Sequence, residues 1–548
     1  MKNEIYNIVK KSLDSISNAD EIEFEIEIPK KKGFGDFSTN AALIAASKTG
    51  SKPREIAEKI VSEIRKMDME IIERLEIAGP GFINFFLKDE TFVNQLKNIY
   101  SAGDSFGSSN TGRDENVIVE FVSANPTGYL HFGHARNAAV GDSISRILSY
   151  CGFNVVKEFY INDAGMQMEM LGKSVFSRYL ELFNIDSELP EDGYRGGYVI
   201  DIAKDILDKR KDELLKILKT DAEMFCRNFA YKFLLNEIKN DLKDLRVEFD
   251  SWYSEKEKIH AGNKLKEAEE KLESADSLEK KEGALWFKAT EFGDTQDWVL
   301  IKSDGSPTYF ISDIAYHDDK FKRGFKRLIN IWGADHHSHF SRLKSSIKAI
   351  GYDESAVEVV LIQFVRLIED GKEISMSKRS GSFITLREVL SEVGADVTRF
   401  FLLMRSSDSH LDFDLNLAKK ESNENPVYYI QYVYARISSI LKNAGENELK
   451  SSDKHIHNLS EEFEQDIIRK ILSFPEVVKS ACDLLSPHKI GYFLQDLASD
   501  FHLYYNKIKI INTDNIDLSS ARLYLIICIS IVIKNGLTLM GVDSPERM

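Results

Sequence analysis

The hydrophobic and polar positions change period several times along the chain, and each change marks an element. Residues 21–28, EIEFEIEI, alternate with period two, the pattern of a strand with one wet face. Ala41 to Ser47 and Pro53 to Arg65 carry apolar residues at helical spacing, and GPGFINFFL (79–87) returns to a strand behind a Gly-Pro-Gly turn. In GDSFGSSNTGRD (103–114) glycine, serine and asparagine cluster and apolar residues nearly vanish, which predicts a domain boundary. After it, NVIVEFVSA (116–124) is the short, nearly continuous apolar run that a strand buried on both faces requires. From His131 the spacing becomes helical, with Val140, Ile144, Ile147 and Leu148 on one face, and FNVVKEFYI (153–161) supplies a second buried strand. Strand, helix, strand in that order predicts a doubly wound parallel sheet.

Residues 201–280 break the pattern. They hold 20 Asp or Glu and 17 Lys or Arg among 80 positions, which predicts solvated helices inserted into the parent fold and stabilised by i, i+4 pairs. Strand and helix alternate again through ALWFKAT, WVLIKS, PTYFISDIAYH, RLINIWGADHH and VEVVLIQFV (284–365), after which only long helical stretches remain. The expected fold is α/β: a doubly wound, Rossmann-type parallel-sheet domain (115–415) with a helical insertion (166–283), a small α+β N-terminal domain (1–106) and an all-α C-terminal bundle (416–548).

Composition narrows the function. A chain of 548 residues exceeds one core, so about three or four domains, and clefts between them, are expected. The net charge of −16 argues against coating nucleic acid through bulk positive charge, though a local basic face remains open. The strongly apolar run Leu523–Ile533 is bounded by Arg522 and Lys534 and falls short of the roughly 18 residues of a membrane span. Lys2, Glu4, Lys10 and Lys11 leave no room for a secretory apolar segment, so a cytoplasmic protein without membrane contact is expected. Cys151, Cys226, Cys482 and Cys528 form no CxxC pair and read as buried, reduced thiols.

The chemistry concentrates at Ser123-Ala124-Asn125-Pro126-Thr127-Gly128-Tyr129-Leu130-His131-Phe132-Gly133-His134, between the first buried strand and its helix. Ligands of open α/β sheets bind at such turns, and a helix N-terminus offers free N–H groups to an anion. His131 and His134 add imidazole donors, and Gly133 leaves room for a flat adenine between them. A capped helix with incidental histidines explains the same residues, and so does a zinc site with His336, His337 and His339, although no HExxH or cysteine partner accompanies them; no structural metal is expected. Far downstream, Ser375-Met376-Ser377-Lys378-Arg379-Ser380-Gly381 is a small basic loop (about 372–382) whose lysine can neutralise charge on a leaving pyrophosphate.

HFGH followed by SMSKR resembles the signature pair of class I aminoacyl-tRNA synthetases. EFVSANPTGYLHFGHARNAAVGD, YINDAGMQ, SDIAYHDDKF, WGADHH, MSKRSGSFITLREVL, VGADVTRFFLLMRS, HLDFDLNLA, ENPVYYIQYVYARI and GVDSPERM, together with GDFSTNAAL and GPGFINFFL near the N-terminus, resemble the arginyl-tRNA synthetase family over nearly the whole chain. Where the family pattern carries a lysine this chain has Ser375, and Lys372 is near enough in sequence to reach the same site. The resemblance implies activation of L-arginine with ATP and Mg2+, then transfer to tRNA(Arg) by a monomer. His131, His134 and Lys378 would be catalytic, with Gly133, Met376 and Ser377 also at ATP. Glu120, Asn125, Tyr309 and Asp313 would hold arginine, carboxylates being the partners a planar guanidinium needs. The N-terminal domain would touch the D-loop corner of the tRNA. Tyr504 or Tyr505 and Met548 would read the anticodon, although aromatic residues spaced along a helix also serve as core packing. Two other readings stand beside this one: a nucleotidyltransferase that makes an adenylate without RNA and has no use for the C-terminal bundle, and a non-catalytic tRNA-binding relative, against which His131, His134 and Lys378 argue.

Overall fold

The computed structural model describes residues 1–16, 22–29, 33–67, 70–334, 337–374 and 384–548. They fold as two compact units. One joins Met1–Gly103 with Leu441–Leu472 and Asp500–Ile529; the other joins Asp104–Ile440 with Ser473–Ser499 and Ser530–Met548.

The first unit opens with helix α1 (Lys2–Asp14) and strands β1 (Ile26–Glu27) and β2 (Phe37–Thr39), followed by α2 (Ala41–Thr49), α3 (Pro53–Ile64), β3 (Ile72–Ala78), β4 (Phe82–Leu87) and α4 (Asp89–Ala102). Its strands form an antiparallel sheet in the order β1-β2-β4-β3. The alternation at 21–28 overstated β1. Ile22, Phe24 and Ile26 are buried as the alternation requires, but the partner β2 is three residues long and pairs only with Ile26 and Glu27. A period of two reports one-sided burial, which does not require a ladder along its whole length.

The second unit begins with β5 (Asn116–Glu120), α5 (Phe132–Tyr150) and β6 (Asn154–Ile161), then α6 (Met166–Glu181), α7 (Gly197–Arg210), α8 (Lys219–Asp244) and β7 (Ser251–Ser254). It continues through α9 (Lys264–Ser274), β8 (Leu278–Lys281), β9 (Ala284–Phe287), β10 (Trp298–Ile301), α10 (Tyr309–Lys322), β11 (Arg327–Gly333), α11 (His337–Ala349) and β12 (Val357–Ile362). Five strands pair in parallel in the order β12-β11-β5-β6-β7. Chain order reverses beside β5, so the switch point of the doubly wound sheet lies between β5 and β11. Val117, Ile118 and Val119 of β5 are fully buried, which explains their unbroken apolar run.

The insertion is shorter than expected. β7 is the fifth strand of the sheet, and α9 turns Ala268 and Leu272 into the same core as Ile118, Phe310 and Leu328. A four-residue strand in so charged a stretch leaves no period to read, and two lysines of α9 face inward to acids: Lys264 meets Asp319 at 2.5 Å and Lys271 meets Asp318 at 2.5 Å. β8, β9 and β10 make a separate antiparallel sheet rather than prolonging the parallel alternation.

Beyond β12 come β13 (Val365–Glu369), β14 (Lys372–Glu373), α12 (Leu386–Leu403), β15 (Leu411–Asp414) and α13 (Leu415–Ala418). The remaining regular elements are the α-helices α14 (Pro426–Glu446), α15 (Glu462–Leu472), α16 (Phe474–Asp483), α17 (His488–Lys507) and α18 (Ile516–Met540), with one short 3-10 turn at Asp453–Asn458. The residues of this helical region are divided between the two units. By length and composition α18 could cross a membrane, but 72% of its most apolar stretch is buried and its Arg522 is paired with Glu464 at 2.8 Å.

Candidate active site

The site is built where β5 ends. Val122 (φ 66°) and Ser123 (φ 41°) stand in the left-handed region, which for a β-branched valine costs roughly 1–3 kcal/mol and persists only when its surroundings enforce it. Asn137 of α5 does so, accepting from the Val122 N–H at 2.7 Å while its amide donates to the Ile331 carbonyl of β11 at 2.9 Å. One side chain therefore spans the switch point. Ser123 Oγ donates to Glu120 at 3.1 Å and accepts from the Tyr160 N–H at 3.2 Å, tying the kink to β6.

His131 is the N-cap residue of α5, and its ring stacks on that of His134 with centroids 3.7 Å apart and 28° between planes. Gly133 is required by this stack, because a β-carbon there would lie 2.9 Å from the His131 ring. Both histidines are half-buried at the N-terminus of a 19-residue helix, as a phosphate site requires. The residues after 383 join them: Thr385 bridges His131, the Phe132 N–H donates to the Ile384 carbonyl at 3.1 Å, and the Leu386 N–H donates to the Leu130 carbonyl at 2.8 Å. Met376, Ser377 and Lys378, like Ser375 and His336, lie outside the described residues. Lys372 is exposed on β14. Among the described residues no group of three or more His, Cys, Asp or Glu is arranged to hold a metal ion.

Acidic groups gather beside this turn. Burial pushes the Tyr160 hydroxyl well above its ordinary pKa, and the nearby acids Glu255, Asp313 and Glu120 add to the rise. Asp313 is pushed up to about 7, chiefly by burial and further by Glu120 and Glu255, against the pull of Arg342. Glu120 has a partner already: Lys320, fully buried, donates to it at 2.6 Å and to Asn330 Oδ1 at 2.9 Å. Asn330 then turns its amide N–H to His317 Nε2 at 3.1 Å, which leaves Nδ1–H to donate to the Asp313 carbonyl at 2.8 Å. Burial holds that imidazole neutral, in keeping with this tautomer. Of the two expected carboxylates, Glu120 is paired with Lys320, while Asp313 feels the nearby Arg342. Tyr309, one turn earlier on α10, is 63% exposed, with its hydroxyl about 4.0 Å from where a β-carbon on Gly165 would stand. Asn125 is exposed, and its amide donates to Gln167 at 2.7 Å.

The aromatic residues of α17 divide. Tyr504 has no exposed surface, which corrects its expected role: it continues the buried stripe Leu494, Leu497, Ala498 and Phe501 and presents no face to a base. Tyr505, about 100° further round the helix, is half-buried and stacks on Phe501, while Met548 is 49% exposed. Glu255, Tyr160, Gln167, Asn137 and Lys320 were not singled out in sequence. Tyr160 and Gln167 nevertheless lie within the family-like block YINDAGMQ, Asn137 within EFVSANPTGYLHFGHARNAAVGD and Lys320 within SDIAYHDDKF, whereas Glu255 left no trace.

Residues 3–87 match the family described as arginyl tRNA synthetase N terminal domain, 95–407 the catalytic domain of class I (R) tRNA synthetases, and 430–548 the DALR anticodon binding domain. The chain is 46% identical to an arginine–tRNA ligase of Geobacillus kaustophilus, covering 100% of this chain and 98% of that one. It is 45% identical to one of Listeria monocytogenes, with 97% and 96% covered. The arginyl-tRNA synthetase structure from Thermus thermophilus shares the fold at a TM-score of 0.77, with 21% identity and 100% of both chains covered.

Proposed function

The chain belongs to the arginyl-tRNA synthetase family, and on that premise we propose how its own residues divide the work of charging tRNA(Arg). The reaction joins L-arginine to tRNA(Arg) with ATP as the energy source. The arginine carboxylate is ionised near neutral pH and needs no base to attack the α-phosphate, so the protein supplies position and charge stabilisation. His131 and His134 meet the phosphates together with the first N–H groups of α5, and adenine lies against Gly133. Asn125, oriented by Gln167, takes the amino-acid end of arginine. Asp313 takes the guanidinium beside the Tyr309 hydroxyl, while Glu120 acts through Lys320 to fix the floor of the pocket. Lys378, with Met376 and Ser377, meets the departing pyrophosphate; this role rests on the sequence resemblance. Mg2+ arrives with the nucleotide, as part of the substrate. Tyr505 and Met548 keep exposed surface for the anticodon. The corresponding setting is a cytoplasmic monomer without membrane contact; four buried free cysteines fit a reducing compartment, and sedimentation checks the monomer.

The carboxylates beside the histidine turn, Glu120 tied to Ser123 at 3.1 Å and Asp313 in the field of Glu120 and Glu255, carry this reading. Carboxylates beside a phosphate site repel the nucleotide unless they face a cation, and arginine brings one. A nucleotidyltransferase working without RNA has no use for an anticodon-binding domain and is not favoured. Charging of total tRNA with each standard amino acid in turn is the test. Arginine should be charged far better than any other; a better substrate, or no charging at all, defeats the proposal.

A further inference from the structure

Arg387 occupies the second position of α12, where the positive end of the helix dipole disfavours a cation. Its surroundings compensate. The Nη1 group donates to Glu237 at 2.8 Å, Nε donates to Asp241 at 2.9 Å, and the guanidinium lies over the Tyr129 ring, 4.2 Å from its centre. Glu237 and Asp241 belong to α8, in the helical insertion. Tyr129 stands two residues before His131, and Arg387 two residues after Thr385, the residue that bridges His131. Tyr198 of α7 reaches the same place: its ring packs on Tyr129 with centroids 5.6 Å apart, and its hydroxyl donates to the Thr127 carbonyl at 2.7 Å. The short pairing of Leu130–Phe132 with Ile384–Leu386 is thus clamped from outside by helices that carry none of the residues proposed to touch ATP or arginine.

We propose that Arg387 is a positioning residue for the activation step: it holds residues 384–386 on the histidine turn and keys both to helix α8. The inference rests on the arginine-activation reading. A cation on the wrong end of a helix, held by two carboxylates from the insertion and an aromatic ring from the histidine turn, has a structural reason to be there only if those three elements must keep one register. Loss of the guanidinium frees the pairing that sets where His131 and His134 stand, and a displacement of about 1 Å at a phosphate site costs up to about a hundred-fold in rate. The guanidinium pocket on α10 is untouched, so arginine binding should not change.

The test is arginine-dependent ATP–pyrophosphate exchange by the full chain with total tRNA present, for the wild type, Arg387→Met, Arg387→Lys and Glu237→Gln. Arg387→Met should lower kcat about ten-fold or more with KM for arginine within about two-fold of wild type, the signature of lost transition-state positioning. Arg387→Lys keeps a cation between Glu237 and Asp241 and should recover most of the loss. Glu237→Gln, at a partly exposed position, should fold normally and lower kcat about three-fold, so it decides the matter if Arg387→Met does not fold. Unchanged kcat in Arg387→Met or in Glu237→Gln overturns the proposal, as does a rise of KM for arginine in step with the fall in kcat. A wild type without arginine-dependent exchange defeats the underlying reading instead, and that outcome shows in its own arm.

Discussion

On the proposed reading, Asp313 is the residue on which amino-acid choice turns. Asp313→Asn keeps the shape and removes the charge, so KM for arginine should rise about ten-fold to a hundred-fold, the worth of a charge-assisted contact, with kcat at saturating arginine nearly unchanged. Steady-state kinetics resolve the two; a fall in kcat alone would move the role to Glu255. Because burial pushes Asp313 up to about 7, the free protein holds it partly protonated near neutral pH. A guanidinium favours the carboxylate and draws its pKa down, so binding releases a proton. Arginine affinity should therefore weaken as pH falls below about 7, by about ten-fold per unit until the bound-state pKa is reached. Calorimetry in buffers of different ionisation enthalpy reads the released proton, which Asp313→Asn should abolish. His131, His134 and Asp313 were legible in sequence because each sits in a block with its own signature. Glu255 was not, since SEKEK looks like any solvated charge run until β7 joins the sheet and carries it inward.

Helix α5 does its work because it lies so close to β5. A β-carbon on Gly141 would lie 2.3 Å from Cγ of the buried Phe121 ring, so Gly141→Ala should push the helix off the strand, destabilise by about 1–3 kcal/mol and carry the histidines out of place. A lower melting temperature together with reduced exchange is expected; a fully active, equally stable variant would mean that helix and strand can part without consequence. The buried face of α5 was readable in advance, since Val140, Ile144, Ile147 and Leu148 are all buried. The kink at Val122 and Ser123 was not, because no glycine marks it and the contacts that hold it, Asn137 reaching between two strands and Ser123 tied to Glu120 and β6, come from distant parts of the chain or from a side chain without a signature. Tyr504 shows the converse: aromatic residues beside lysines read as an RNA surface, whereas the buried stripe of their helix decides which ring faces water.

Across the second unit one buried cation holds distant parts of the chain together. Arg399 of α12 and Asp142 of α5, both fully buried, meet at 2.7 Å, and Arg399 also donates to the carbonyls of Met540 at 2.9 Å and Leu245 at 3.1 Å. Gly541, at φ 67°, leaves no room for a β-carbon beside that guanidinium. Burial alone would raise the pKa of Asp142, but Arg399, Arg146 and Lys157 hold it below the usual carboxylate range. Arg399→Met removes the fully buried partner of Asp142 and the donor to the Met540 and Leu245 carbonyls, while Arg146 at 2.6 Å and Lys157 at 3.2 Å still hold the carboxylate, so it should cost about 1–3 kcal/mol, the worth of buried acceptors left unsatisfied. All four tryptophans, Trp252, Trp286, Trp298 and Trp332, belong to this unit, so their fluorescence during urea unfolding reads the effect directly; equal stability of the variant and wild type would contradict it. The order of strands and helices was legible along the chain, but which distant segments complete a unit was not, since a buried arginine and a surface one look alike in sequence. There is a consequence for synthesis. A ribosome delivers Asp142 and Arg399 long before Met540, and domains fold as units once their parts have emerged. Until residues 530–548 leave the exit tunnel, Arg399 lacks its Met540 acceptor and the second unit lacks one of its segments, so a nascent or prematurely terminated chain holds His131 and His134 in an incomplete unit.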